Sequence, residues 1–198
     1  MRGSRIESRS GFWARDLLHH GGRNLIRAIG AAAAVVWLGS FFVPGWTHLR
    51  RLAAYVALSV IASAALVEAL KYATNTDCPR DLLDFGGSNP HIAFFQWRPS
   101  TLPRAMCFPG AHAASGYSLL ALFHAAASYR NRHDWRWLMP GLLLGTVFAF
   151  AQEARGAHFL SHDLTGAAVA WAVVTVLASL MLEPPGERFS SVAARTRT

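Results

Sequence analysis

Residues 52–73 read LAAYVALSVIASAALVEALKYA, and they decide the fold class. No charge appears until Glu68, and Lys71 follows one turn later. A helix needs about 20 apolar residues to cross the hydrocarbon core of a bilayer, and this stretch supplies them in one block. A soluble helix would instead show an apolar stripe backed by a charged face. Arg50 and Arg51 stand immediately upstream, where a membrane surface is expected.

Working outward, the same pattern repeats. An apolar block at about 25–43 ends at Pro44-Gly45, with Trp46 at the level of an interfacial aromatic. Further blocks cover about 111–129, 137–157 and 161–182. Between them, residues 74–110 are polar and carry Pro79, Gly86, Gly87, Pro90, Pro103 and Pro109, so they cannot span. Their aromatics (Phe85, Phe94, Phe95, Trp97) predict a segment folded against the membrane. Residues 130–136 form a basic turn. The expectation is all-α: a polytopic membrane helix bundle of about five transmembrane helices. Residues 1–24 are a polar, basic N-terminal segment in which Phe12, Trp13, Leu17 and Leu18 predict an interfacial helix. Residues 183–198 read as a flexible tail. With 198 residues and no loop able to bury its own core, the chain reads as one membrane-embedded domain over 1–198.

The net charge of +8 comes from 18 Arg and one Lys against 11 acidic residues. On a soluble domain this would suggest nucleic acid. Here the arginines flank apolar blocks, so anionic membrane lipids are the expected partner and nucleic acid is not. The first 24 residues lack the continuous apolar core of a signal peptide, so the first membrane helix is expected to direct insertion.

Five alternating helices place the end of the second, the start of the third, the end of the fourth and the start of the fifth on one face. Lys71, Cys78, Arg80, His112, Gln152, Glu153, Arg155, His158, His162 and Asp163 fall at those four ends. Ionisable groups are expensive in a membrane, so this convergence reads as a site. Arg50, Arg51, Arg130, Arg132 and Arg136 lie on the opposite face, which the positive-inside rule makes cytoplasmic. The Arg-rich N-terminus falls on the site face, against that rule. Cys78 and Cys107 lie in the same polar segment and read either as free thiols or as a disulfide formed on an oxidising face.

Three segments then resemble a known pattern. They are Lys71 to Pro79, Phe108-Pro109-Gly110-Ala111-His112, and Arg155-Gly156-Ala157-His158-Phe159-Leu160-Ser161-His162-Asp163. Their order and spacing resemble the type 2 phosphatidic acid phosphatase family. Its signature is Lys, six residues, Arg-Pro; then Pro-Ser-Gly-His; then Ser-Arg, five residues, His, three residues, Asp. The resemblance covers about residues 52–182. Lys71, Pro79, Pro109, His112 and His158 match. Cys78 stands at the first Arg, Gly110 and Ala111 at Ser-Gly, Ala151-Gln152 at Ser-Arg, and His162 at the Asp. Asp163 follows one residue later, and Arg155 comes three residues after the expected Arg. The Cys-Pro pair with Arg-Gly-Ala-His-Phe-Leu-Ser-His is similar to a bacterial branch, whose members usually carry a further N-terminal helix not evident in this chain.

The resemblance implies a metal-independent phosphatase without cofactors, acting on a phosphorylated lipid in the bacterial inner membrane from the periplasmic face. Candidate substrates are phosphatidic acid, phosphatidylglycerophosphate, lipid A phosphates and polyprenyl diphosphate. His158 would attack phosphorus and form a phosphohistidine; His112 would protonate the leaving oxygen and then activate water. The partner that fixes the His158 tautomer is expected to be Asp163, with His162 on the same turn. Lys71, Arg155, Arg80 and Arg104 are the candidate phosphate ligands. Two other readings stand beside this one. The substitutions at 78, 110 and 152 fit a catalytically degenerate member that binds anionic lipid or a membrane partner. His158 and His162, four apart and joined by His112, fit a metal or haem site.

Overall fold

The computed structural model describes residues 21–94, 96–130 and 134–182, with the side chain of Arg130 left out. The predicted interfacial helix around Phe12 and Trp13, and the tail at 183–198, lie outside the described residues. Among the described residues six α-helices form five rods: α1 Gly22–Gly39, α2 Arg50–Thr74, α3 Ala111–Tyr117, α4 Ala121–Arg130, α5 Met139–Ala154 and α6 Leu160–Met181. A 3-10 turn, Ser118–Leu120, joins α3 to α4 as one rod. Among the described residues there is no strand.

Two helical stretches, Pro44–Asp81 and Leu160–Met181, are long and apolar enough to cross a membrane. The other three rods do not meet that requirement alone, and the reason is local. The α3–α4 rod is interrupted where the Ser115 hydroxyl donates to the His112 carbonyl and the Ser118 hydroxyl to the Ser115 carbonyl. Such back-bonding competes with the regular ladder. α5 contributes about 24 Å at 1.5 Å per residue, and a 3-10 turn, Trp135–Leu138, lengthens it.

α1 runs from Gly22 to Gly39 rather than over 25–43. Its end is fixed by Arg50, whose Nε donates to Ser40 Oγ at 2.9 Å and whose guanidinium stacks on Phe41 at 4.2 Å. The apolar run Phe41-Phe42-Val43 therefore sits in a turn. At the same end of the bundle, Arg51 donates to the Met181 carbonyl, at the close of α6.

The core sits between α2, the α3–α4 rod and α6, around Tyr55, Leu120, Ala121, Val174 and Ala178. Tyr55 is fully buried, and its hydroxyl donates to the Val174 carbonyl at 3.0 Å. Inside a bilayer, lipid tails remove the usual hydrophobic drive, so close approach through small residues matters more. A Cβ on Gly116 would lie 2.6 Å from the Gly145 nitrogen, and one on Gly141 2.6 Å from the Leu120 nitrogen. α3 and α5 thus touch backbone to backbone. Gly166 does the same for α3 and α6, since its Cβ would lie 2.5 Å from the Gly110 oxygen. α5 and α6 flank α3 on two sides and barely meet each other.

Candidate active site

The site face is built where α2 ends, α3 and α6 begin and α5 ends. Asn75 closes α2 in the left-handed conformation, φ 49° and ψ 42°. Beyond it the chain is stitched to the segment before α3. Thr74 Oγ1 donates to the Phe108 carbonyl at 2.6 Å, the Ala105 N–H to Asn75 Oδ1 at 2.8 Å, and the Cys107 N–H to the Thr76 carbonyl at 3.1 Å. Cys78 and Cys107 are joined as a disulfide, with Cα atoms 5.2 Å apart. Cys107 Sγ also lies 3.0 Å from the Ala157 carbonyl. A disulfide sulfur carries no proton, so this is a packing contact.

The α5–α6 turn explains the placement of His158. The Gly156 N–H donates to the Glu153 carbonyl at 2.8 Å and the Ala157 N–H to the Gln152 carbonyl at 2.9 Å. These are the paired bonds of a Schellman closure, and Gly156 takes the positive φ of 62° that it requires. The Arg80 N–H donates to the Gly156 carbonyl at 3.0 Å, tying this turn to the first loop.

His158 Nδ1 lies 2.7 Å from Asp163 Oδ1, and the Asp163 side chain is 2 % exposed. With the Asp163 carboxylate as acceptor, a neutral His158 would carry its proton on Nδ1 and leave the Nε2 lone pair free. Asp163 lies in the first turn of α6, where the helix N-terminus favours negative charge. Its Oδ2 is buried and makes no hydrogen bond among the described residues.

Gly110 borders this pair. Its N–H donates to the His162 carbonyl at 2.7 Å, and a Cβ there would stand 2.1 Å from Asp163 Oδ1. The carboxylate occupies the space that a side chain at 110 would need.

His162 takes a different position. It is buried with its ring edge-on to Phe108 at 5.3 Å and Phe159 at 5.4 Å, and 5.8 Å from the His158 ring. His112, in the first turn of α3, is buried with its ring 4.8 Å from that of Phe148. Lys71, in the last turn of α2, is 3.8 Å from Glu68 Oε1 and lies within electrostatic reach of Asp163 and His162. Glu153 interacts in the same way with Asp163 and His158. It belongs to the charged cluster, as its place among the polar residues at the four helix ends implied, although the sequence gave it no chemical role. Arg155 is half-buried at the C-terminal end of α5.

Two candidate cations are engaged elsewhere. Arg80 Nε lies 3.8 Å from Asp81 Oδ1, with its side chain 45 % exposed. Arg104 stacks on Tyr72 at 4.0 Å and donates to the Tyr72 carbonyl at 2.8 Å. Arg104 lines a cavity of about 810 Å³ between Tyr72 and the loop bearing Phe94, Trp97 and Arg98, and no site histidine borders it. At that cavity Arg98 grips Asp77, with Nη2 to Oδ1 at 3.0 Å, and Asn89 Nδ2 donates to the same oxygen at 2.8 Å. Burial works against the Asp77 charge, but these donors outweigh it and hold the carboxyl below its ordinary range. Among the described residues no group of three His, Cys, Asp or Glu side chains is arranged to hold a metal ion.

A model of the PAP2 superfamily matches residues 52–184, more than half of the chain. The chain belongs to the PAP2 superfamily. PAP2 members are phosphatases, and the match covers α2 through α6 together with every residue of the site face just described. No curated protein and no solved structure matches this PAP2 chain.

Proposed function

We propose that this PAP2 protein is a metal-independent phosphatase of a lipid phosphate or diphosphate, with all five rods crossing a bacterial inner membrane. The site would face the periplasm, since Arg50, Arg51 and Arg136 lie at the opposite end. The observation that carries the reading is the 2.7 Å contact of His158 Nδ1 with the buried Asp163 carboxylate. It leaves Nε2 as a nucleophile and stabilises the imidazolium that forms as Nε2 bonds to phosphorus.

In the first step the Nε2 lone pair attacks phosphorus, the P–O bond to the lipid breaks, and His112 gives its proton to the departing alkoxide. In the second, His112 takes a proton from water, the oxygen attacks phosphorus, and the P–N bond breaks to release phosphate and restore His158. Lys71 and Arg155 supply positive charge to the phosphoryl oxygens, whereas Arg80 and Arg104 are held by Asp81 and Tyr72. Phosphate release by detergent-purified protein tests this. Release that survives a chelator and disappears in His158→Ala supports the mechanism; release that persists in His158→Ala, or stops with chelator, overturns it.

A second reading has its own support. Cys78 is held in a disulfide, Gly110 has no side chain and Gln152 is uncharged, so three positions that contact phosphate in the family carry no charge here. Losing one such donor costs about 2.7–4 kcal/mol of transition-state stabilisation. No release from any lipid phosphate would favour a protein that binds anionic lipid without hydrolysing it.

A further inference from the structure

The Cys78–Cys107 disulfide sits where the three loops of the site face meet. Cys107 is 1 % exposed, and its sulfur packs on the Ala157 carbonyl at 3.0 Å. Ala157 immediately precedes His158, and His112 follows in the turn that Cys107 opens. The Cys107 main chain is held as well. Its N–H donates to the Thr76 carbonyl at 3.1 Å, and the His162 ring hydrogen-bonds its backbone. At the other end of the bridge, Cys78 leads into Pro79 and Arg80, whose N–H donates to the Gly156 carbonyl at 3.0 Å. The bridge therefore fastens the loop after α2 to the segment bearing His112. Through both of its ends it also bears on the turn that carries His158. Cys78 stands at the arginine of the family pattern, so that position serves the frame of the site and not the phosphate.

We infer that this disulfide is a positioning element of the phosphatase reaction, and that its formation switches the site on. The inference rests on the phosphatase reading and deepens it by naming a redox control of the same site. His158 and His112 must bracket one phosphorus atom, yet they belong to different loops. Reduction replaces the bond by a contact between two separate sulfurs, which need more room. Cys107 is enclosed, so the added volume presses on the Ala157 carbonyl and on the loop after α2. A displacement of about 1 Å in a catalytic group costs on the order of 100-fold in rate.

The switch is a thiol–disulfide exchange. In activation one cysteine thiolate attacks a disulfide supplied by an oxidoreductase or a small molecule, and one partner sulfur leaves as a thiol. The second cysteine thiolate then displaces the other partner sulfur from the mixed disulfide. Two electrons and two protons pass from the cysteines to the partner. In the reverse direction a dithiol attacks Cys78, which is half-buried beside the exposed Arg80, whereas Cys107 is shielded. A newly made chain with two thiols is then silent until its site face reaches an oxidising compartment.

The chain has 2 cysteines, so a reductant acts at this bridge alone. The test compares oxidised protein in detergent, the same protein reduced with a phosphine, the reduced protein re-oxidised, and Cys78→Ser combined with Cys107→Ser. Each is assayed below its own melting temperature, with helicity followed by circular dichroism. Phosphate release from phosphatidic acid gives kcat and KM. Titration with tungstate, which accepts a nitrogen as a fifth ligand as the transferring phosphorus does, reads assembly of the site without turnover. Reduction is expected to lower kcat about 100-fold with KM within about threefold, and to weaken tungstate binding at least about tenfold. Re-oxidation restores both, and the double variant behaves as the reduced protein and ignores the phosphine. A kcat and a tungstate affinity unchanged by reduction, or a fall matched by lost helicity, overturns the inference. No phosphate release in any state, with tungstate binding still lost on reduction, sinks the phosphatase reading and leaves the redox control standing.

Discussion

Replacing Asp163 by Asn isolates the contact on which the mechanism depends. The side chain is 2 % exposed and its Oδ1 sits 2.7 Å from His158 Nδ1, so an isosteric amide fits without repacking. An amide nitrogen turned toward Nδ1 donates, and the proton moves to Nε2. The nucleophilic lone pair is then lost from the atom that must attack phosphorus. The charge-assisted hydrogen bond, worth about 1.5–3 kcal/mol, disappears as well. A tautomer change of this kind at an oriented histidine lowers kcat by roughly 10⁴. Asp163 does not contact the phosphoryl group in this mechanism, so KM is expected to stay within about threefold. The assay is steady-state phosphate release from phosphatidic acid in mixed micelles, beside His162→Asn and a thermal melt of each protein. His162 packs between two phenylalanines and makes no hydrogen bond to His158, so its variant is expected to lose melting temperature more than kcat. A kcat for Asp163→Asn within tenfold of the unmodified protein, or a deeper fall in His162→Asn, would refute the pairing.

Other outcomes follow from the same geometry. Gly110→Ala puts a methyl 2.1 Å from Asp163 Oδ1, so kcat should fall at least about tenfold while Ala111→Gly has a smaller effect; phosphate release reads both. Reduction, or Cys78→Ser with Cys107→Ser, opens a loop whose ends are 29 residues apart. The chain-entropy model gives a loss of about 3–4 kcal/mol, seen as a lower denaturation midpoint. The Asp77 carboxyl is held below its ordinary range, so its contribution to the loop is fully present above about pH 4. It is lost as pH falls through the lowered value, and proteolysis of the 89–104 segment should rise there; Asp77→Asn should be cleaved readily at every pH.

The rods were legible because each is a dense apolar block, and their order on the two faces follows from alternation alone. Their ends were less so. Phe41-Phe42-Val43 is as apolar as any helix, and only the reach of Arg50 back to Ser40 shows that it turns. The break at Ser118–Leu120 depends on two serine hydroxyls bonding their own helix, which hydropathy cannot register. At the site, spacing brought Lys71, His112, His158 and Asp163 to one end. Choosing between His162 and Asp163 needed the angle of the α6 N-terminus, since both occupy the same turn. Arg104 had the right charge and the right loop, yet the Tyr72 ring and carbonyl hold it on the outer side of α2. Glu153 was placed on the site face with the other polar residues at the helix ends, but nothing in its spacing gave it a chemical role.

The main-chain bonds between Arg80 and Gly156, Cys107 and Thr76, and Gly110 and His162 have a consequence for substitution. They join the three loops through peptide N–H and carbonyl groups, which every residue type except proline possesses. The frame that joins the loops bearing the histidines is therefore carried largely by main-chain atoms. The side chain at 152 can therefore change without removing these main-chain bonds, whereas position 110 cannot take a Cβ without meeting Asp163.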